Sequence, residues 1–146
     1  MDFKLKPPIE NSTSLFGLFC IGFREPSLPT SKKYYMSMNK SLLQIRVLVQ
    51  EPAKEKTFTY DLDVDLFDDK WHHMSVIIDS LNEVIIVKFD DIKTITIIDD
   101  TGKYPIGTAD KVYIGGIIDG YKAVGNIKNV MFGNILKTFK LITTNV

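Results

Sequence analysis

Polar and apolar residues alternate along much of this chain, and the alternation breaks at clusters of Gly, Pro, Ser, Asn and Asp. A period of two sends successive side chains to opposite faces of an extended strand. The densest stretch is Trp71-His72-His73-Met74-Ser75-Val76-Ile77-Ile78-Asp79. Ser80-Leu81-Asn82-Glu83 joins it to Val84-Ile85-Ile86-Val87-Lys88-Phe89-Asp90. Two runs rich in β-branched and aromatic residues, joined by a short turn, predict a β-hairpin. Its inner face is His72, Met74, Val76 and Ile78 against Ile85, Val87 and Phe89. Trp71 is expected to open the first strand and to bury about 150–250 Å².

The same pattern extends in both directions. Residues 2–6 suit a short edge strand ended by Pro7-Pro8. Residues 15–23 are apolar on both faces, as in a central strand covered on both sides. Residues 24–33 carry Pro, Ser, Thr and Lys32-Lys33 and predict a long loop, followed by a short strand over 34–38. Leu43, Ile45, Val47 and Val49 alternate as a half-buried strand, and 51–56 form a turn. The strictest alternation covers 57–66, with Phe58, Tyr60, Leu62, Val64 and Leu66 inward and Asp61, Asp63 and Asp65 outward. Further strands are predicted over 94–98, 111–116, 127–132 and 136–142, with a turn-rich loop at 99–107. No segment holds a 3.6 period together with caps. About ten short strands divided by turns indicate an all-β fold, an antiparallel β-sandwich or a barrel.

Composition narrows the functional classes. A chain of 146 residues reads as one domain, 1–146, large enough to bury about 68–70% of its unfolded surface. The formal net charge is zero, which argues against a generic nucleic-acid binder. A single cysteine, Cys20, allows no intramolecular disulfide and reads as a small apolar strand residue. The N-terminus lacks the features of a signal peptide. No apolar run is long enough for a membrane helix, so no membrane insertion is expected. Asn11-Ser12-Thr13 and Asn39-Lys40-Ser41 match the N-glycosylation pattern, a weak pointer to secretion.

Four stretches, in order, resemble the laminin G-like family within the concanavalin A-like jelly-roll group. They are Phe19-Cys20-Ile21-Gly22-Phe23-Arg24-Glu25-Pro26, Asp68-Asp69-Lys70-Trp71-His72-His73-Met74-Ser75-Val76, Val112-Tyr113-Ile114-Gly115-Gly116 and Tyr121-Lys122-Ala123-Val124-Gly125-Asn126-Ile127-Lys128-Asn129-Val130. The resemblance covers roughly 12–140 and implies a jelly-roll sandwich. It further implies a non-catalytic binding or adhesion module within a longer extracellular or cell-surface protein. Such a module would recognise a glycan or a protein receptor or matrix partner through rim loops at 24–33, 79–83, 99–108 and 117–123. It also implies a rim Ca²⁺ site with Asp68, in the turn before Trp71, as one ligand. Asn126 stands where the family often has a cysteine, and no partner cysteine is present.

Other candidate chemistry is thin. Asp61, Asp63 and Asp65 on one strand would lie about 6–7 Å apart in a row and could not wrap one ion. His72 and His73 point to opposite faces and cannot chelate one metal together. His72 is expected to be a hydrogen-bonded core histidine and His73 a surface residue. The Glu-x-Asp-x-x-Glu signature of jelly-roll glucanases is absent, so no enzyme is expected. Lys32, Lys33, Lys111, Lys122 and Lys128 are candidates for a basic patch that takes sulfated glycans, or are scattered solvated lysines. The alternatives to a binding module are a structural or assembly domain of a larger polymer and a carbohydrate-active enzyme.

Overall fold

The computed structural model describes residues 1–5, 16–21, 31–49, 53–107, 113–114, 125–132 and 144–145. Through them run β1 (Asp2–Leu5), β2 (Phe16–Ile21), β3 (Lys32–Asn39), β4 (Leu42–Val49), β5 (Lys54–Asp61), β6 (His72–Asp79), β7 (Val84–Phe89), β8 (Lys93–Ile98), β9 (Tyr113–Ile114), β10 (Gly125–Lys128), β11 (Met131–Phe132) and β12 (Thr144–Asn145). The described residues contain no helix. Two five-stranded antiparallel sheets form, ordered β10-β1-β6-β7-β8 and β5-β4-β3-β2-β9, beside a short β11-β12 ribbon. Phe3, Leu5, Met74, Ile85, Val87, Phe89, Ile95 and Ile97 of the first sheet share one buried cluster with Tyr34, Met36, Met38, Leu43, Ile45 and Val47 of the second. This is the expected sandwich, its core made of the inward-facing half of each alternating strand.

The central hairpin forms in the predicted register: Met74 opposite Phe89, Val76 opposite Val87, Ile78 opposite Ile85. Fully burying a side chain of this size, as at Met74, Ile85, Val87 and Phe89, stabilises the fold by about 1.5–3 kcal/mol. The Asp79 carboxylate closes the turn, accepting the Asn82 backbone N–H at 3.1 Å and the Asn82 side-chain N–H at 2.8 Å. These bonds from Asn82 hold Asp79 below the usual carboxylate range.

The fold departs from the sequence expectations at five places. The strand expected over 57–66 ends at Asp61. Beyond it the aspartates turn on their own backbone: Asp61 accepts from the Asp63 N–H, Asp65 from the Phe67 N–H and Asp68 from the Lys70 N–H, each at 2.9 Å. A side-chain acceptor two residues upstream competes with the ladder for each N–H. Asp63 takes a left-handed φ of 59°. Leu62 and Leu66 still reach the core, because their N–H groups donate to Ser41 and Lys40 carbonyls at 2.8 and 2.7 Å.

The other departures also follow from contacts distant in sequence. β1 is no edge strand: it lies between β10 and β6. The turn expected at 51–56 gives way at Lys54, where β5 begins. The strand expected over 127–132 is broken at Asn129, φ 51°, so that β10 joins a main sheet and β11 the ribbon. Finally β3 begins at Lys32, inside the expected loop. The predictions for 6–15, 22–30, 108–112, 115–124 and 133–143, including Asn11-Ser12-Thr13 and Lys111 and Lys122, lie outside the described residues, as does the side chain of Cys20.

Lys32 is the largest surprise of the core, for it is fully buried. Its Nζ donates to Asp99 Oδ2 at 2.8 Å, and the Tyr34 hydroxyl donates to the same oxygen at 3.0 Å. Thr101 donates to Asp99 Oδ1 through its hydroxyl at 2.6 Å and its N–H at 3.1 Å. Burial alone would raise Asp99, but the hydrogen bonds from Lys32 and Thr101 outweigh it and hold the carboxyl below its ordinary range. Burial, then the Asp99 charge, pushes the Tyr34 phenol far above its usual value, so it remains a donor. The backbone completes the seam: Lys32 donates to the Pro105 carbonyl at 2.8 Å and accepts from the Gly107 N–H at 2.9 Å. The 99–107 loop is thereby stitched onto β3.

Candidate functional site

The alternation that sends Phe3, His72 and Met74 into the core sends Asp2, Lys4, Trp71 and His73 the other way. β1 and β6 pair with Asp2 opposite His73, and β1 and β10 pair with Asp2 opposite Lys128. The outer face of this corner therefore carries a Lys128–Asp2–His73 row, with Lys4 and Trp71 beside it.

Trp71 does not open the strand as a buried anchor. It precedes β6 and is 42% exposed. The Lys128 Nζ sits 3.9 Å from its ring centroid and the Lys4 Nζ 5.9 Å from it. Such placement is the cation–π arrangement, and it holds the long lysine side chains against the indole. Lys4 also meets Asp69 at 3.3 Å. Asp2 binds His73 Nδ1 through one oxygen at 2.6 Å and accepts from the Asn129 amide through the other at 2.5 Å. The bond to His73, then that from Asn129, holds Asp2 below its ordinary range.

Beneath this surface His72 fixes the start of β6. It is the hydrogen-bonded core histidine that the sequence predicted, only 6% exposed. Its ring stacks on Phe89, centroids 5.4 Å apart, and lies 5.8 Å from Phe3. Nδ1 is 2.7 Å from Asp90 Oδ2 and Nε2 is 3.0 Å from Asp68 Oδ1. Both contacts are hydrogen bonds at once only for the doubly protonated ring. Asp90 Oδ1 also accepts the His73 N–H at 2.6 Å. The residues on either side of Trp71 are thus tied to the turns at 68–70 and 90, which fixes the indole's base. His73 is a surface residue, as expected.

Asp68 lies where the turn was predicted. Burial would raise it, but the hydrogen bonds from the Lys70 N–H and from His72 hold it below its ordinary range. Its Oδ1 is engaged by those two groups, and its Oδ2 lies 4.0 Å from Lys70 Nζ. Among the described residues no three His, Cys, Asp or Glu side chains are grouped as metal ligands. The candidate basic patch is dispersed: Lys32 is in the core, Lys33 sits 4.5 Å over the Tyr35 ring, and Lys128 covers Trp71. A shallow cleft of about 250 Å³ opens elsewhere, between Leu62, Asp63, Val64, Phe89, Ile92 and Lys93. Period-two reading puts Lys4 and His73 on outer faces, whereas Trp71, expected to be buried, lies exposed beside them. Only the pairing of β1 with β10, some 120 residues apart, brings Lys128 to them.

No protein-family profile matches this chain, and no curated protein matches it in sequence. Solved structures do match. Domains LG4-5 of the mouse laminin alpha1 chain superpose with a TM-score of 0.56 at 11% identity, over 84% of this chain and 28% of that one. A glycoside hydrolase family 16 endo-glucanase from Bacteroides ovatus superposes with a TM-score of 0.51 at 14% identity, over 73% of this chain and 50% of that one. This chain spans half or less of the length of either. The fold is the laminin G-like, concanavalin A-like jelly roll that the four sequence stretches resemble. Among the described residues no helix is long and apolar enough to cross a membrane.

Proposed function

We propose that this domain is a non-catalytic binding module that takes an acidic glycan against Trp71, within a longer extracellular or cell-surface protein. The observation that carries the reading is the exposed indole with Lys128 3.9 Å above it and Lys4 nearby. The apolar C–H face of a pyranose ring can stack on an indole. A carboxylate or sulfate on the sugar would draw the two ammonium groups off the ring into charge-assisted hydrogen bonds. The chain as a whole is neutral, so the attraction is local. One structural neighbour is an endo-glucanase, which fits a sandwich of this kind taking a glycan.

The sequence supports a non-catalytic reading, since the Glu-x-Asp-x-x-Glu signature of jelly-roll glucanases is absent from the chain.

Trp71 is the only tryptophan in the chain, so its fluorescence reports directly on the site. Titration with a sulfated or uronic-acid oligosaccharide should give a saturable change that a neutral oligosaccharide of equal length does not. Trp71→Ala should remove about 2 kcal/mol of binding, as buried aromatic anchors do. Equal response to the neutral sugar, or none to either, would sink the proposal. A protein receptor would then take the glycan's place.

Calcium at Asp68 belongs to the same proposal. The ion would use Oδ2 and draw its remaining oxygens from backbone carbonyls and water. Ca²⁺ should then raise the thermal midpoint relative to chelator, and Asp68→Ala should abolish the rise. An unchanged midpoint in the wild type removes the metal.

A further inference from the structure

His73 shares the outer face with Trp71 and has one ring nitrogen to spare. Its Nδ1 is held by Asp2 Oδ1 at 2.6 Å. Its Nε2 has no partner among the described residues, and the side chain is 51% exposed. Asp2 cannot swing away, because the Asn129 amide donates to its second oxygen at 2.5 Å. An ionised carboxylate only accepts hydrogen bonds, so Nδ1 carries a proton in either charge state of the ring. Nε2 is then a lone-pair acceptor when the ring is neutral and a donor when it is protonated. In the sheet His73 lies opposite Asp2, and Asp2 opposite Lys128. The row is about 10 Å long, two inter-strand spacings. Its far end is the lysine whose ammonium rests on the indole. A ligand that meets Trp71 and Lys128 is thereby brought to Nε2.

Charge makes that nitrogen matter. Around the indole Lys4 is matched by Asp69 and Lys128 stands opposite Asp2, two positive groups against two negative. With a neutral His73 this corner carries no net charge and turns a lone pair toward an anion. A protonated His73 adds one positive charge and one donor. Histidine is the side chain that changes charge between about pH 5 and 8. The groups around His73 come from three strands. β1 brings Asp2, next to the Met1 amino group, and the end of β10 brings Lys128 and Asn129. From the β7 side Asp90 accepts the His73 N–H at 2.6 Å and holds His72 through its other oxygen. Lys88 of β7 stands one row farther from the indole, opposite Ser75. The Met1 amine, held below its usual value by burial, donates to the Met74 carbonyl at 3.0 Å, and His72 is in the core. Neither is open to a ligand. We propose that His73 is a ligand contact of the Trp71 site, whose protonated Nε2–H binds an anionic group of the glycan, so that an acidic glycan is held best below neutrality. The inference rests on the reading of Trp71 given above and adds to it a residue and a pH dependence.

The probe is a sulfated oligosaccharide, whose sulfate esters keep their charge throughout, titrated against Trp71 fluorescence at about pH 8 and about pH 5.5. The Kd should fall about threefold to tenfold toward acid, the gain of one charge-assisted hydrogen bond at a half-exposed site. His73→Asn keeps a side-chain amide for Asp2 but has neither the charge nor Nε2. It should bind with the same Kd at both pH values, close to the wild type's at alkaline pH, and an unchanged circular-dichroism spectrum would confirm the fold. A second measurement needs no variant. The chain has two histidines, and their ring signals can be followed by NMR in the wild type at the acid pH. Those of His73 should move as the sulfated sugar is added, and those of the buried His72 should hold. Saturable binding that is independent of pH, a pH dependence that survives in His73→Asn, or a His73 signal that the sugar leaves in place would each overturn the inference while the Trp71 reading stands. No saturable change at either pH would defeat both.

Discussion

Lys32 and Asp99 show how much one residue can carry in this sandwich. Both charges are out of water and 2.8 Å apart. Removing one partner of such a pair strands the other, and the cost is about 3–5 kcal/mol. Lys32→Met should therefore lower the urea midpoint sharply. Lys32→Met with Asp99→Asn should cost less than Lys32→Met alone, since the neutral amide can keep bonds to Thr101 and Tyr34 without a buried charge. If the double variant is the weaker of the two, the ion pair is not what holds this seam. Gly102 makes a second test in the same loop. Its φ is +121°, and a Cβ there would meet the Tyr104 ring at 2.4 Å. Gly102→Ala should cost about 1–3 kcal/mol through backbone strain and crowding, read from the same denaturation curves. Neither lysine nor glycine announces its role in the sequence. Lys32 sits in a Pro- and Ser-rich stretch, and its partner is 67 residues away.

At the scale of elements, the hairpin of β6 and β7 was legible because its information is local. The period, the turn and both faces lie within some twenty residues, and a one-residue slip would expose the whole apolar set. The end of β5 was not legible, though 57–66 alternates more strictly than any other stretch. Each aspartate there can satisfy an N–H two residues on as well as a ladder carbonyl can, and Asp61 and Asp65 do so. Asp65→Ala should cost about 1 kcal/mol through the lost Phe67 bond, seen as a small fall in thermal midpoint with no loss of strand signal by circular dichroism. A fall of several kcal/mol would mean that the turn is coupled to the buried Leu66. The corner around Trp71 was half legible. The outward parity of Lys4 and His73 is local, while the exposure of Trp71, which was expected to be buried, depends on where β6 begins, which His72 settles through Asp68 and Asp90.

At the scale of the whole molecule the carboxyls set the response to acid. Asp2, Asp68, Asp79 and Asp99 have folded values below the unfolded value of about 3.9. In that window the unfolded chain binds more protons, so their stabilisation is complete above about pH 5 and is lost as pH falls through the folded values. The thermal midpoint should be level near neutrality and drop steeply below about pH 4. Asp99→Asn should start lower and drop less. A midpoint that holds to pH 2.5 would contradict this account. What the sequence determined by itself was the class of architecture: strands rather than helices, which face of each looks inward, and the hairpin, since period and turn chemistry act over a few residues. The resemblance carried by four short stretches extended that to the jelly roll. Tertiary structure alone decided which strands are neighbours, that β1 lies inside a sheet, that a lysine belongs in the core, and that Lys128 rests on Trp71. Those outcomes rest on pairs of residues far apart in the chain, whose meeting depends on the packing of both sheets at once.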